Sequence, residues 1–352
     1  MEGGSTGRLI RGSTPLPMWI VPAHTHNVGM FVGLREIVKA RGRFGLIVGT
    51  VGLITLLVVM LTGLTNGLGK QNTEALEALD AKSVVFQDMD EPSYMTSRVT
   101  AEEGTVPLGT GQTLLLRENG KEESISILGL PKGTELPGGE VLGEGAVASR
   151  ALNVAPGDEL SVGGTPITVD AVTDDLYFSH TAVLWVNTED WKAAMHTDAD
   201  GTVLLASDDR GMSMKESFNG LAAYKSEQAS FNMILGFLYA IAALVIVAFL
   251  TVWTMQRTRD LAILKAIGAS NSYLRKDALG QAAVLLGIGA AVGALIALGI
   301  GLAASKVAPF SLTVLTVAGP PLAIWAIGMV GAFFATRQIT KVEPQLALGG
   351  IA

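Results

Sequence analysis

The stretch Gln256-Arg257-Thr258-Arg259-Asp260-Leu261-Ala262-Ile263-Leu264-Lys265-Ala266-Ile267-Gly268-Ala269-Ser270 is a short basic segment between two long apolar runs. Leu261, Leu264 and Ile267, with Ile263 alongside, recur at helical spacing and predict one apolar face. Arg257, Arg259 and Lys265 supply cations on the other side, and Gly268 reads as the helix stop. A helix of this kind lies along a membrane surface or in a groove of a partner protein. Leu261, Leu264 and Ile267 are therefore expected to anchor it.

Outward from this segment, four apolar runs have the roughly 20 residues that a bilayer crossing needs. They cover 44–64, 230–253, 281–305 and 312–336. A mean hydropathy of +0.42 and 49% hydrophobic residues fit a membrane protein rather than an ordinary soluble enzyme. The chain has no cysteine, which excludes disulfides, thiolate zinc sites and cysteine nucleophiles.

The formal net charge of −7 conceals an asymmetry. Residues 65–230 hold 27 acids against 11 bases, whereas residues 254–280 hold five bases against two acids. Arg35, Lys39, Arg41 and Arg43 precede the first run with Glu36 as the one nearby acid. Short basic flanks stay in the cytoplasm. The expected topology thus has both termini and the 254–280 loop inside, with the acidic insert 65–229 outside.

Residues 1–29 carry no sustained periodicity and read as a tail, disordered or non-native. Residues 30–43 read as a cytoplasmic amphipathic helix leading into the first run. In that run Gly45 and Gly49 have the four-residue spacing that lets helices approach closely in lipid, as do Gly289, Gly293, Ala297 and Gly301 in the third. The insert alternates short β-like runs with turn residues: 83–87, 112–118, 123–130, 158–162, 166–172 and 182–187. Helices are expected over 144–152 and 188–195, with a helical stalk continuing the first run. The fold class expected is a four-span α-helical membrane protein with an extracellular α+β domain between the first and second spans, closed by a cytoplasmic tail, 337–352.

Motifs for autonomous chemistry fail on inspection. Gly67-Leu68-Gly69-Lys70 lacks the earlier glycine and the following hydroxyl of a phosphate loop, and Gly299-Ile300-Gly301-Leu302-Ala303-Ala304 lies inside a span with no strand before it. His24 and His26 sit on the tail, and His180 and His196 stand apart and read as structural or solvated. No catalytic residue, resident cofactor, metal site or nucleic-acid surface is expected.

The segment Arg257–Ser270 resembles the cytoplasmic signature of FtsX-like permeases of ABC transporters, in the MacB-like superfamily. Leu34-Arg35-Glu36 before the first span, the single large insert, and Val342-Glu343-Pro344 with Ala347-Leu348 near the end agree with it. The resemblance implies a multi-pass permease in the bacterial cell membrane, homodimeric, with two copies of a separate ATPase that binds the ATP. Arg35, Glu36, Arg257, Arg259, Asp260, Leu261, Leu264, Lys265 and Gly268 would form the coupling elements, against the ATPase or lipid headgroups.

Within the superfamily, Tyr177-Phe178-Ser179-His180-Thr181-Ala182-Val183-Leu184-Trp185, followed by Trp191, resembles the external domain of haem-exporter permeases of the HrtB type. Haem iron takes His, Met, Cys or Tyr ligands, and no His or Cys lies in a span. The expected slot therefore uses Met60 and Glu227 as ligands at a two-fold interface in the outer leaflet. Phe231 would stack on the ring, with Met233, Tyr239 and Asn66 as further contacts. A mechanotransmitter that controls a cell-wall hydrolase, or an exporter of glycolipid, peptide or macrolide, remains the alternative.

Overall fold

The computed structural model describes residues 41–117 and 120–337. The tail 1–29, most of the amphipathic helix with Arg35 and Glu36, and the closing Val342-Glu343-Pro344 lie outside the described residues.

Among the described residues, four helices are long and apolar enough to cross a membrane: α1 (Arg41–Glu77), then, beyond the sheet region, Ala222–Gln256, Asn271–Ala304 and Val314–Thr336. With 37 residues, α1 is about 55 Å long, well over the roughly 30 Å hydrocarbon core. It is thus longer than a crossing needs, as is the 35-residue helix Ala222–Gln256, and both reach the sheet region.

The region between them holds ten strands: β1 (Ser83–Val85), β2 (Thr105–Leu116), β3 (Glu122–Leu130), β4 (Ala146–Ser149), β5 (Glu159–Val162), β6 (Thr165–Thr173), β7 (Tyr177–Phe178), β8 (Thr181–Asn187), β9 (Val203–Ala206) and β10 (Met212–Ser213). Two short helices lie among them, α2 (Thr188–Met195) and α3 (Met214–Ser217). The long helices that follow are α4 (Ala222–Gln256), α6 (Asn271–Ala304) and α7 (Val314–Thr336), with α5 (Thr258–Ala266) between α4 and α6.

The strand order β10-β1-β9-β2-β3-β8-β4-β6-β5 returns on itself, because β5 pairs with the far end of β2 at Leu115–Val162. Six strands thus close into a barrel, which removes the sheet edges there. The first half of β2 serves a second patch with β9, β1 and β10. Strands β3 and β8 run parallel and are buried on both faces. Ile125, Ile127, Leu184 and Val186 fill the core on one face, while Leu128, Leu130, Val183 and Trp185 join Ala75 and Leu76 of α1 on the other. This double burial explains why their sequences read as continuous apolar runs.

Two sequence expectations are corrected. The helix over 144–152 is instead strand β4, with a single 3₁₀ turn at Arg150–Leu152. All four residues of β4 are buried between β6 and β8, so tertiary pairing overrides the local propensity of Ala-Val-Ala-Ser. Gly45 and Gly49 do not pack within the chain; a Cβ on either would meet nothing within 4 Å. The close approach uses Gly52 instead, against Gly289 and Gly293 of α6. The small-residue stripe of α6 faces α1, with Ala297 fully buried.

Candidate functional site

Two regions of the molecule concentrate polar groups on the long helices: the junction of α1 and α4 with the sheet domain, which the expected topology places outside, and the turn that carries α5.

At the outer junction, α1 and α4 lie side by side. Gln228 and Tyr224 of α4 approach Gly69 of α1. One turn further on, Asn72 Nδ2 donates to Glu227 Oε2 at 3.0 Å, and His180 Nε2 stands 2.9 Å from Glu227 Oε1. The amide nitrogen also lies 3.0 Å from His180 Nε2. Two donors onto one carboxylate satisfy it, so Nε2 carries a hydrogen and the amide–imidazole contact is not itself a bond. Asn72 is fully buried, and its Oδ1 accepts no hydrogen bond among the described residues.

His180 reaches this point because the turn between β7 and β8 is bent through two left-handed residues, Ser179 (φ 46°) and His180 (φ 67°). Such backbone is costly for non-glycine residues and persists where the surroundings hold it. Here Ser179 N–H donates to Asn72 O (3.2 Å), His180 N–H to Gln71 O (3.1 Å), and Gln112 Nε2 to Ser179 O (2.9 Å). The turn is thereby clamped onto α1, and its histidine reaches across to α4.

Below the junction, the outer turn between α6 and α7 wedges into α1. Ser311 N–H donates to Gly63 O at 3.0 Å. A Cβ at Gly63 would overlap the Phe310 ring, and one at Gly67 the backbone of Pro309. Only glycine admits this approach.

The expected slot residues do not converge. Met60 lies twelve residues before Asn72 on one continuous helix, about 18 Å along its axis. Glu227 is bound to Asn72, so Met60 and Glu227 stand at different depths. A two-fold axis along the membrane normal preserves depth, and the two cannot ligate one iron from opposite sides. Asn66 turns elsewhere, donating to Thr316 Oγ1 of α7 at 3.0 Å. Tyr239 packs against the helix-bundle core, Met233 is exposed, and Phe231 is half-buried. His180 and Asn72, which sequence reading left aside, are the residues that engage Glu227. The signal that marks His180 is the Tyr177–Trp185 stretch itself.

At the other end, α4 stops at Gln256, and α5 begins after Arg257. The expected anchors divide. Leu261 and Ala262 are buried, Leu261 against Leu274 and Ala278 of α6, whereas Ile263, Leu264 and Ile267 are exposed. Among the described residues Leu264 and Ile267 meet no buried apolar partner, because α5 lies on α6 along one edge only. Arg257 turns inward: its Nη1 donates to Gln281 Oε1 at 2.6 Å and its guanidinium lies over the Trp253 ring. Gln281 in turn donates to Asp277. Asp260 is exposed and Lys265 half-buried. The side chain of Arg259 lies outside the described residues. Gly268, at φ 107°, makes the turn, and Ser270 caps α6 by accepting from Tyr273 N–H.

Among the described residues, four membrane-length helices, a sheet domain inserted after the first, and a short amphipathic helix on the turn between the second and third make up the architecture of a multi-span membrane protein. Residues 232–344 match the family model for the FtsX-like permease C-terminal domain. Over 355 residues the chain is 23% identical to a Staphylococcus haemolyticus protein named as the hemin transport system permease HrtB, covering 92% of this chain and 100% of that one. A Staphylococcus epidermidis protein of the same name is also 23% identical, over 91% and 99%. An ABC transporter permease of Mycobacterium tuberculosis is 21% identical over 91% and 99%. Residues 232–344 thus carry an FtsX-like permease C-terminal domain, and the chain is similar along its length to ABC transporter permeases, whose ATPase is in general a separate subunit.

Proposed function

We propose that this permease exports haem from the bacterial membrane, as a homodimer served by two copies of a separate ATPase. The observation that carries the reading is the end-to-end match, over more than nine-tenths of both chains, to permeases named for hemin transport. The basic flanks support an orientation with the termini and 254–280 in the cytoplasm and the sheet domain outside. ATP-driven closure of the ATPases would press on the 30–43 and 254–280 segments, and the spans would close like a bellows on haem taken up in the outer leaflet. Such a cycle needs the ATPase, because binding alone shifts equilibria and performs no work.

The exposed stripe on α4, with Met233, Ile234, Phe237 and Ile241, supports an apolar contact for the macrocycle or a second copy. Met60, half-buried on α1, remains the intramembrane sulfur donor proposed. Glu227 serves instead as the acceptor for His180 and Asn72, with Phe231 one turn below it. Haemin titration of the permease in nanodiscs tests the reading, together with ATP turnover of the full complex. A saturable Soret shift and haemin-stimulated turnover are expected; neither effect beyond empty nanodiscs overturns haem as cargo and directs the search to glycolipid, peptide or macrolide.

A second reading is favoured by the clamp of Ser179–His180 onto α1 and α4. A domain tied so closely to its stalks suits a mechanotransmitter that relays ATPase motion to an external hydrolase. An external protein partner retained by the complex, without any lipid-soluble ligand, would support it.

A further inference from the structure

Between the sheet domain and the first turn of α4 lies a cavity of about 430 Å³, within the range of small-molecule sites. Its walls include Tyr94, Phe178, Met95 and Met195, and the first residues of α4 form one side. The polar groups that reach it are few, chiefly Arg98, Gln112 and His180. Its charge is opposite to its setting. Residues 65–230 carry 27 acids against 11 bases, yet none of the described residues that line the cavity is acidic and one is an arginine.

The walls are firm where they must hold shape and yielding where they must adapt. Tyr94 is buried, packs edge-on against Phe86 and Phe178, and bonds through its hydroxyl to Ser217 Oγ at 2.9 Å. Burial pushes its phenol above the ordinary range, although that hydrogen bond works the other way, so it stays a neutral wall. Met195 lies over Gly111, where a Cβ would collide with its thioether, and Met95 is exposed at the rim. Thioether side chains fit themselves to apolar ligands of varied outline. Arg98 is exposed and uses Nη1 on the carbonyls of Met95 and Ser97, which sets the guanidinium at the rim. Its remaining N–H groups make no hydrogen bond among the described residues. A guanidinium of this kind pairs best with a carboxylate.

We propose that this cavity is a binding site, outside the spans, for an apolar molecule that carries a carboxylate. The apolar body lies against Tyr94, Phe178 and the methionines, and the acid pairs with Arg98, with the Gln112 amide alongside. The strained Ser179–His180 turn is part of the wall and is bonded to both stalks, so an occupant braces the joint between sheet domain and helices. Two sources share this chemistry, a porphyrin through its propionates and a free fatty acid. The inference does not depend on haem as the exported cargo.

The test uses the full-length permease in nanodiscs, with empty nanodiscs as the blank. Fluorescence of metal-free protoporphyrin IX reads binding, and dodecanoate serves as competitor. Saturable binding is expected that weakens roughly tenfold in Arg98→Gln, the scale of one lost charge-assisted pair. Ala223→Phe, which puts a ring at the mouth, should abolish it. Displacement by dodecanoate at comparable concentration assigns the site to fatty acids as well; no displacement assigns it to porphyrins. Thermal unfolding checks that both cavity variants fold. Binding that survives both variants, or no binding above the blank with either probe, overturns the proposal. Porphyrin binding without haemin-stimulated ATP turnover would keep the cavity and remove haem as cargo.

Discussion

The two ends of the long helices are built differently. At the sheet-domain end, the outer end on the proposed orientation, α1 and α4 are joined by a carboxylate with two donors, the turn of the sheet domain is bonded to both, and the loop between α6 and α7 is seated on bare glycine. At the other end, α5 rests on α6 through Leu261, Leu274 and Ala278, while three large aliphatic side chains point away. The first joint is complete within one chain. The second presents apolar surface that little among the described residues covers. The proposed ATPase-driven cycle would use this arrangement: a stiff body that moves with α1 and α4, and a helix, α5, with a face open to a partner.

The outer joint is most easily broken where the fit is tightest. Gly67→Leu forces a side chain into the Pro309 backbone, and neither helix can yield without losing the Ser311–Gly63 hydrogen bond. Overpacking of this kind costs about 1–3 kcal/mol and more where backbone is the obstacle. A clear fall in the thermal midpoint in nanodiscs is expected, whereas Gly45→Leu, with open space around it, should leave the midpoint unchanged. Equal effects would mean that the loop is not seated as described.

The clamp is the next target. Glu227→Leu leaves the His180 ring without this acceptor and the buried Asn72 amide with only the Leu68 carbonyl, at about 1–3 kcal/mol. Glu227→Gln retains one acceptor oxygen and should cost less. Amide hydrogen exchange at Ser179 and His180 should accelerate in Glu227→Leu, while cleavage by protease in the 257–270 segment should not change. Faster cleavage there would show that the two ends are coupled more tightly than their contacts indicate.

A third effect depends on pH. The Tyr94 phenol has a folded-state pKa above the ordinary value near 10, so its contribution is fully present below pH 10 and is lost as pH rises beyond it. By pH 11 the accumulated loss is about 1.4 kcal/mol, of which about 1 kcal/mol falls between pH 10 and 11. Tyr94→Phe removes the titration and should show a flatter decline of thermal midpoint over that interval; parallel declines would exclude Tyr94 as the cause.

What sequence reading could reach follows from the range of the forces involved. The four spans rest on composition over some twenty residues each, which is local, and they stand. Strands such as 123–130 and 182–187 declared themselves through β-branched runs between turns. Barrel closure through Leu115 and Val162 did not, because a two-residue pairing between distant strands leaves no periodic trace. The helix expected over 144–152 failed for a related reason: only its neighbours make Ala146–Ser149 a strand. At the outer junction, Glu227 drew notice by its place at a span mouth. Its true partners are set by a left-handed turn far along the chain, and that turn carries Ser and His where glycine would have signalled it. At the inner turn, helical spacing marked Leu261, Leu264 and Ile267 alike. Spacing gives a face, and only packing decides how much of it this chain covers.

That uncovered face supplies the smallest effect on stability and the sharpest test of its role. Ile267 is 79% exposed, and replacing an exposed side chain away from any network changes stability by at most about 0.5 kcal/mol. Leu261, at 6%, belongs to the packed edge, and Leu261→Ala should loosen α5 itself. On the proposed coupling role, Ile267→Ser and Ile263→Ser should leave the thermal midpoint of the isolated permease within error, yet weaken its co-purification with the ATPase. Leu261→Ala should disturb both measurements. If Ile267→Ser left ATPase association intact, the exposed face would be serving lipid rather than protein. The basic residues at 257–265 would then read as headgroup contacts, and the inner end would be anchored by the membrane it lies on. If association falls while the fold stands, the asymmetry between the ends is functional: rigidity outside transmits a push that enters through a surface this chain leaves for its partner.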